Sequence, residues 1–484
     1  MKIEQIYTGC LAEAAYYIES NGQAVIIDPL RETQPYLDKL KAENATLKYI
    51  FETHFHADFV SGHLDLAKAT GATIVYGPNA KTAFEKMEAK DGQILQLGEL
   101  SFKVLHTPGH TPESTTYLLL DENGKEKAIF TGDTLFIGDV GRPDLAQKSG
   151  SITKEDLAGW LFDSLRNKIM PLPDEVIVYP AHGAGSACGK NMSSETWDSL
   201  GNQKATNYAL RADMTREEFI QEVTAGLLPP PNYFAANARL NKMGYDNFET
   251  VLEKGAVPLS VTQFQTIVEQ EGALILDTRH QQTFKDGFIP GSIFIGIDGS
   301  FAPWAGALIP DLQQAIVFLA DEGREEEVVT RLSRVGFDRT LGYLKGGVKT
   351  WQNAGHELDK IKSISVAQFE QNIKEQKHLN ILDVRKPTEF LSQHIETAQN
   401  TPLDYINQNM EALDPQESYF IHCKGGYRSM IFSSILRARG FQKLIDIDKG
   451  WNAIEKSGIP LTGYVCPSEM PQERIDEAVA AVSA

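Results

Sequence analysis

The amino-acid sequence predicts an α/β protein of about three domains. Its 484 residues are too many for one ordinary domain. Short β-rich runs alternate with helix-like runs, which is the pattern of an α/β fold. The second half also contains a degenerate repeat, in which residues 275–279 recur as residues 381–385, an offset of 106 residues. A repeat of that length indicates a domain duplication rather than a solenoid.

The first half carries β-rich runs that predict a sheet. Between the first two runs, residues 59–70 have helical periodicity, and Gly71 follows as the expected C-terminal stop. Residues 215–244 are helix-like but contain three prolines at 229–231, which must interrupt any helix. The predicted strands are 49–53, 73–76, 102–105, 115–120, 128–131 and 176–179.

The repeat divides the second half of the chain into two domains with the same predicted fold. Each copy reads strand, helix, strand, helix, which predicts a small parallel sheet. We therefore predict a first domain at residues 1–245, a middle domain at 255–360, a last domain at 362–462 and a tail at 463–484.

Composition limits the partners and the compartment. A net charge of −19 repels phosphate backbones and anionic lipids, so we expect neither nucleic acid nor a membrane as a partner. The N-terminus lacks the pattern of a signal peptide. The cysteines are scattered without a CxxC pair, which predicts no disulfide framework and suits a reducing cytoplasm. The sequence leaves the oligomeric state open, a homo-oligomer included.

Six residues of metal-binding types, histidine and aspartate, follow predicted strands in the first domain. The ends of strands in one α/β sheet converge at one edge, so we expect these side chains to meet. Imidazole and carboxylate donors suit iron, zinc or manganese. The six residues are His54, His56, Asp58, His110, Asp133 and His182.

These residues resemble the motif of the metallo-β-lactamase superfamily, His-x-His-x-Asp-His with a distant His, Asp and His. The resemblance covers about the first 190 residues and implies an αβ/βα sandwich. This sequence departs from the motif at its last histidine, which is replaced by Phe59. A phenyl ring cannot ligate a metal, so a second metal site would lose a ligand. The departure argues against dinuclear hydrolases such as glyoxalase II.

The same departure favours a resemblance to persulfide dioxygenases of the ethylmalonic-encephalopathy protein type, which hold one ferrous ion. The resemblance implies one Fe(II) per chain, held by His54, His110 and Asp133, the facial triad of non-haem iron oxygenases. His56, Asp58 and His182 would then orient ligands or water. Arg142 is a candidate for meeting an anionic thiol substrate, and an ion pair with Asp139 or Asp144 is the equally open alternative.

The last domain carries a loop that resembles the rhodanese active site. Residues 419–422 read as a buried strand, and Cys423 begins a Gly-containing loop that leads into a helix. Backbone N–H groups, the helix N-terminus and Arg428 would stabilise a thiolate there. The spacing Cys-x4-Arg is tighter than the Cys-x5-Arg of cysteine phosphatases and suits a sulfane sulfur.

The middle copy resembles the rhodanese frame without its thiol. A gapless alignment from the shared Gly-Phe places Leu319 opposite Cys423 and Arg324 opposite Arg428. We therefore expect a non-catalytic rhodanese-like domain. In the first domain, Cys188 is a candidate sulfur relay, and an ordinary loop cysteine is the alternative.

The complete pattern resembles bacterial multidomain persulfide dioxygenase–sulfurtransferases of sulfide detoxification. That resemblance implies oxidation of a low-molecular-weight thiol persulfide by O₂ to sulfite and thiol. It also implies a sulfane transfer by Cys423 that gives or uses thiosulfate. Two alternatives stay open: a thioester hydrolase of the glyoxalase II type, and a non-oxidative sulfur carrier with an inert metal domain.

Overall fold

The structure, a computed structural model, describes residues 1–147, 151–376, 378–466 and 470–483. Its contacts divide the chain into two compact units. One comprises residues 1–250 with 332–336, and the other comprises residues 251–331 and 337–484. Helices and strands are both abundant in the two units, so the predicted α/β class is confirmed.

The first unit contains two six-stranded sheets. Each sheet runs in simple chain order, β1-β2-β3-β4-β5-β6 in one and β12-β11-β10-β9-β8-β7 in the other. The first sheet comprises β1 (Lys2–Thr8), β2 (Glu13–Ser20), β3 (Gln23–Ile27), β4 (Thr46–Phe51), β5 (Thr73–Tyr76) and β6 (Met87–Glu88). The second comprises β7 (Ile94–Leu97), β8 (Leu100–His106), β9 (Thr115–Leu120), β10 (Glu126–Gly132), β11 (Ile177–Pro180) and β12 (Asp198–Ser199).

Helices pack on the outer faces of both sheets, α1 (Gln34–Ala42) and α2 (His63–Thr70) on the first and α3 (Lys154–Ser164), α4 (Leu200–Thr206) and α5 (Arg216–Thr224) on the second. The helices α6 (Phe234–Met243) and α7 (Phe248–Gly255) follow along the chain, and the first unit ends within α7. The alternation of side chains along each strand explains the layers. Tyr16 on β2 packs in the core between the sheets, whereas its neighbour Tyr17 packs in the outer cluster with α1. Aromatic rings join the sheets, with Phe51 stacked on Tyr117 at a centroid distance of 4.3 Å.

The segment after β4 differs from the sequence prediction. Helix α2 begins at His63 rather than at residue 59, and Gly71 ends it in the left-handed conformation as predicted. Residues before the helix are held in an irregular loop by Asn241, whose amide donates to the carbonyls of His56 and Phe59. The three prolines at 229–231 lie between α5 and α6, which confirms their predicted effect.

The second unit contains two five-stranded sheets with the same strand order. All of their strand pairs are parallel. The middle sheet, ordered β13-β17-β16-β14-β15, comprises β13 (Pro258–Leu259), β14 (Leu274–Asp277), β15 (Ile293–Phe294), β16 (Ile316–Leu319) and β17 (Thr340–Leu344). The last sheet, ordered β18-β22-β21-β19-β20, comprises β18 (Lys362–Ile364), β19 (Asn380–Asp383), β20 (Gln399–Asn400), β21 (Tyr419–His422) and β22 (Leu444–Ile447).

Helices connect these parallel strands, as parallel pairing requires. The middle domain contains α8 (Val261–Glu271), α9 (Gln281–Asp286), α10 (Phe301–Leu308), α11 (Glu325–Arg334) and α12 (Gly347–Asn353). The last domain contains α13 (Val366–Glu375), α14 (Pro387–Ser392), α15 (Ile406–Asn409), α16 (Tyr427–Ala438) and α17 (Trp451–Ile454). The tail, which the sequence left unassigned, forms α18 (Gln472–Ser483) and contacts α14 and α15.

The strand register corrects the alignment of the two copies. Asp277 pairs with Leu319 in the middle sheet, and its repeat partner Asp383 pairs with His422 in the last sheet. Leu319 therefore corresponds to His422, and Ala320 takes the place of Cys423. The gapless alignment was wrong here because the middle copy has one residue fewer between its strand end and its arginine. The middle loop still carries no thiol.

None of the helices in the described ranges combines the length and apolar character that a membrane crossing requires.

Candidate functional site

Three side chains from three strand ends meet in one buried cluster, the metal triad His54, His110 and Asp133. Their ligand atoms lie within 4.8 Å of one another, and Asp133 Oδ2 is 3.5 Å from His110 Nε2 and 3.8 Å from His54 Nε2. Asp133 Oδ2 and His54 Nε2 have no hydrogen-bond partner among the described residues. Buried polar atoms rarely lack partners. The two imidazoles and one carboxylate therefore fit a single divalent cation such as Fe(II).

Neighbouring groups orient both triad imidazoles. Thr53 Oγ1 donates to Asp28 Oδ2 at 2.8 Å and lies 2.9 Å from His54 Nδ1, so it can accept the proton of that nitrogen. His110 Nδ1 lies 2.9 Å from the carbonyl oxygen of Arg142. Each contact leaves Nε2 of its imidazole to carry the lone pair that a metal needs.

His182 lies between two carboxylates and does not offer a nitrogen to the triad. Its Nδ1 is 2.7 Å from Asp133 Oδ1, and its Nε2 is 2.7 Å from Asp58 Oδ2. Burial lowers the pKa of His182, but the Asp133 and Asp58 carboxylates outweigh it and raise that pKa well above its ordinary value. The imidazolium places one positive charge beside the triad and holds Asp133 in place.

The charges of the triad suit a cation. Burial favours a higher pKa for Asp133, but His182, His54 and His110 together hold it well below its ordinary value. Burial, followed by the neighbouring His56, lowers the pKa of His54 well below its ordinary value. The site therefore presents an ionised carboxylate and a neutral imidazole.

Phe59 and His56 occupy the side where a second metal would need a histidine. The fully buried Phe59 ring lies 4.3 Å from the His56 ring. His56 Nε2 lies 3.1 Å from Asp28 Oδ1 and 3.8 Å from Glu52 Oε2. The closest set of possible ligands around His56 therefore comprises Asp28 and Glu52.

Arg142 and Cys188 lie beside this cluster with their polar groups engaged. The Arg142 guanidinium binds Asp144 through two contacts of 2.7 Å and also donates to the carbonyls of Ala187 and Leu228. Of the two alternatives for Arg142, the structure contains the pair with Asp144. The Cys188 thiol groups with Asp58 and His182. Its burial, and then Asp58 and Asp133, raise its pKa well above the ordinary value.

The second cluster is centred on Cys423 at the end of β21. The N–H of Gly426 donates to Cys423 Sγ at 3.1 Å. The N–H of Trp451 donates to the Cys423 carbonyl at 2.8 Å. Gly450 has φ +49°, and a Cβ there would lie 2.2 Å from that carbonyl oxygen. Gly450 and Trp451 thus allow two loops to meet and fix the backbone of the cysteine.

Arg428 follows Cys423 on α16 and is held by Glu389. Its two terminal nitrogens contact the Glu389 carboxylate at 2.6 and 2.9 Å. Burial favours a lower pKa for Arg428, but Glu389 outweighs it and raises the pKa above its ordinary value. A permanent cation is therefore fixed near the thiol, where it can favour a thiolate.

Comparison with known proteins identifies the families of the domains that carry the two clusters. The profile of the metallo-beta-lactamase superfamily matches residues 8–182, and the rhodanese-like domain profile matches residues 260–354 and 365–457. The solved structure of a metallo-beta-lactamase from Staphylococcus aureus covers 71% of this chain and 98% of its own, with 30% sequence identity and a TM-score of 0.62. The chain belongs to the metallo-β-lactamase superfamily. The predicted order, a metallo-β-lactamase domain and two rhodanese-like domains, is confirmed.

Curated relatives of the metallo-β-lactamase domain include two kinds of enzyme. The hydroxyacylglutathione hydrolase GloC of Haemophilus influenzae is 28% identical over 193 residues, or 35% of this chain and 85% of that protein. The human mitochondrial persulfide dioxygenase ETHE1 is 32% identical over 161 residues, or 33% of this chain and 59% of that protein. These identities are too close to separate the two activities.

Several positioning residues of the metallo-β-lactamase and rhodanese-like domains carry no local signal in the sequence. Asp28 and Thr53 precede the histidine motif and carry no metal-binding pattern of their own. Asn241 lies about 180 residues from the loop that it holds, and Glu389 lies 39 residues from Arg428. Single polar residues at such distances give no local signal in one sequence.

The Thr53→Val exchange tests the orientation of His54. Valine has nearly the same shape but cannot accept the proton of His54 Nδ1. We expect Fe(II) affinity, measured anaerobically by competition with a chromophoric chelator, to fall roughly 10- to 100-fold. Thr224→Val is the matched control, because the Thr224 hydroxyl donates to carbonyls of its own helix, far from the triad in sequence. Equal affinities in the two variants would contradict the assignment.

Asp446→Asn tests a buried carboxyl beneath the rhodanese loop. Ser429 and Ser363 donate to Asp446, yet burial raises its pKa to about 6. The raised pKa stabilises the fold at low pH, and that contribution is lost as pH rises from about 4 through 6. We expect the variant to gain roughly 2 kcal/mol of unfolding free energy relative to wild type between pH 4 and 7. Chemical denaturation at both pH values, with the surface exchange Asp38→Asn as control, measures the difference; a pH-independent difference would contradict it.

Proposed function

We propose that this chain is a persulfide dioxygenase with a sulfurtransferase activity. A single ferrous ion, held by His54, His110 and Asp133, would serve the oxidation of a low-molecular-weight thiol persulfide. The balanced reaction is R–S–SH with O₂ and H₂O giving R–SH, sulfite and two protons. Cys423 would carry sulfane sulfur between persulfide, sulfite and thiosulfate. A cytoplasmic role in sulfide detoxification belongs to the same proposal.

The observation that carries this proposal is Phe59 beside a complete three-ligand site. Hydrolases that activate water between two metals need a second set of ligands. In this chain Phe59 contributes only hydrocarbon, and His182 has both nitrogens beside carboxylates. A facial triad leaves open positions for O₂ and for a sulfur ligand. The persulfide dioxygenase relative is therefore the better guide than the hydrolase relative.

The residues around the triad would assist this reaction by holding charge and excluding water. When bound, a ferrous ion supplies the one-electron chemistry that lets O₂ react with a persulfide sulfur. The His182 imidazolium holds a proton between Asp58 and Asp133. The phenyl ring of Phe59 keeps water from one side, which protects a reactive sulfur species from side reactions.

The rhodanese loop would complete the reaction by transferring a sulfane sulfur atom in two steps. The Cys423 thiolate takes the outer sulfur of a persulfide and releases the thiol. Sulfite then attacks that outer sulfur, the S–S bond breaks towards Cys423, and thiosulfate leaves. The Gly426 N–H and the Arg428 cation favour the thiolate that each step requires. Two active domains on one chain raise the effective concentration of each for the other's product.

Two rival functions make different predictions. A glyoxalase II-type hydrolase would hold two metals and cleave thioesters without O₂. A sulfur carrier with an inert metal domain would transfer sulfur but consume no O₂. Oxygen uptake with a persulfide, together with metal content, separates the three.

Metal content is the first test. Because Phe59 removes a ligand from the second site, we expect about one iron per chain after anaerobic reconstitution. His54→Ala, His110→Ala and Asp133→Ala should each abolish iron binding or O₂ uptake, since two ligands hold the ion poorly. Two metal equivalents with thioester hydrolysis would favour the hydrolase, and full sulfur transfer without O₂ uptake would favour the carrier.

Cys423→Ser tests the division of labour between the domains. Serine keeps the size of the side chain but removes the soft nucleophile. We expect O₂ uptake to stay near the wild-type rate, while the product shifts from thiosulfate to sulfite. Initial rates must be compared, because sulfite and persulfide also react slowly without enzyme. A loss of O₂ uptake as large as in His110→Ala would show that the sites are not independent, and unchanged thiosulfate would direct attention to Cys188.

A further inference from the structure

The catalytic loop of the last domain makes a close contact with the middle domain through Tyr427. Tyr427 is the first residue of α16 and directly follows the loop that begins at Cys423. Its hydroxyl donates to the carbonyl oxygen of Gly296 at 2.6 Å. Its ring lies 5.8 Å from the Phe294 ring in an edge-to-face arrangement. The domain without the thiol therefore touches the active loop of the domain that has it.

Two glycines of the middle domain make room for this ring. A Cβ on Gly299 would lie 2.3 Å from Tyr427 Cζ, and a Cβ on Gly296 would lie 3.1 Å from Tyr427 Cε2. Neither glycine has a φ in the left-handed region. Their backbones would therefore accept alanine. At Gly299 the missing side chain is explained by the space that Tyr427 occupies, whereas at Gly296 the nearest atom is Phe294 Cζ at 2.8 Å, with Tyr427 next.

The segment that receives Tyr427 is itself held by the middle domain's arginines. Arg331 donates to the carbonyl of Ile297 at 2.7 Å. Arg324, which comes from the degenerate active loop, contacts Asp298 at 2.7 Å. The arginine of the degenerate loop thus contacts carboxylates and helps to fix the segment around residues 296–299.

The contact between Tyr427 and the middle domain is linked to the Cys423 thiol through the neighbouring residue Gly426. Gly426, the residue before Tyr427, has φ +97° and aims its N–H at Cys423 Sγ. A shift of Tyr427 would move the peptide that joins it to Gly426 and would misplace that N–H. Further along α16, Ser434 accepts a hydrogen bond from the N–H of Phe294 at 2.8 Å, so the helix is also anchored below its first turn.

We propose that residues 294–299 form a socket for Tyr427, and that Tyr427 is a positioning residue that keeps the Cys423 loop in its reactive geometry. The middle domain is then a structural part of the sulfurtransferase site. The inference rests on the sulfur transfer proposed for Cys423, but the socket itself can be tested through the reactivity of the thiol alone.

The test uses the full chain and the exchange Gly299→Ala, which places one methyl group against the Tyr427 ring. We expect the alkylation rate of Cys423 by iodoacetamide, followed by mass spectrometry, and the rate of sulfane transfer from thiosulfate to fall roughly 10- to 100-fold. Oxygen uptake by the iron site should be unchanged. Tyr427→Phe keeps the ring and loses only the hydrogen bond to Gly296, so a smaller loss of roughly fivefold is expected.

A double-mutant cycle separates positioning from general damage. Tyr427→Leu makes room for the added methyl, so Gly299→Ala combined with Tyr427→Leu should be no slower than Tyr427→Leu alone. Gly463→Ala is the control, because a Cβ there meets nothing within 4 Å. Additive losses, or wild-type alkylation and transfer in Gly299→Ala, would overturn the socket. Absent transfer in the wild type would contradict the proposed function, while the alkylation rates would still test the socket.

Discussion

Asp133 and His182, 2.7 Å apart and both buried, form the ion pair on which the metal triad depends. An ionised carboxylate is expensive to bury unless its charge is balanced and its oxygens are bound. His182 satisfies Oδ1 and leaves Oδ2 facing His54 and His110. The Asp58 carboxylate lies on the other side of His182 and contacts the second nitrogen of the imidazolium. Asp58, His182 and Asp133 thus alternate in charge, and Asp133 Oδ2 at the end of this series is available to bind a cation.

The same arrangement requires the backbone to approach very closely at two glycines. Gly132 has φ +54°, and a Cβ there would lie 2.5 Å from Thr53 Oγ1, the atom that orients His54. A Cβ on Gly141 would lie 2.0 Å from the Asp133 carbonyl oxygen and 3.0 Å from His110 Nδ1. The triad is therefore brought together by strands and loops that meet without side chains between them. This close approach explains how ligand atoms from three distant segments lie within 4.8 Å of one another.

The sequence predicted the parts of this molecule that depend on local pattern. Strand ends marked His54, His110 and Asp133, and the cysteine loop marked Cys423, because strand, loop and ligand type are read over a few residues. It could not predict that Glu389 holds Arg428, because an ion pair across 39 residues leaves no local trace. The alignment of Leu319 failed for a related reason. One missing residue in a loop shifts the sequence alignment of the preceding strand by one position, although the strand register is the same in both copies and both flanking motifs stay recognisable.

That missing residue also explains why the two rhodanese-like copies use their arginines differently. Four residues separate Leu319 from Arg324, whereas five separate His422 from Arg428. In the last domain the helix begins at Tyr427, so Arg428 lies within its first turn and faces Glu389. In the middle domain the helix begins at Glu325, and Arg324 stays outside it.

An arginine outside the helix can turn away from the loop. Arg324 binds Asp298 and Glu327, and carboxylates at 2.7 to 2.8 Å leave its guanidinium little capacity for a bound anion. The shorter loop therefore removes the cationic cradle, while Ala320 at the position of Cys423 removes the thiol. What remains is a charge-paired surface on which the helix α16 of the last domain is anchored through Ser434 and Tyr427. A duplicated domain without the thiol can in this way still anchor the helix that follows its neighbour's cysteine loop.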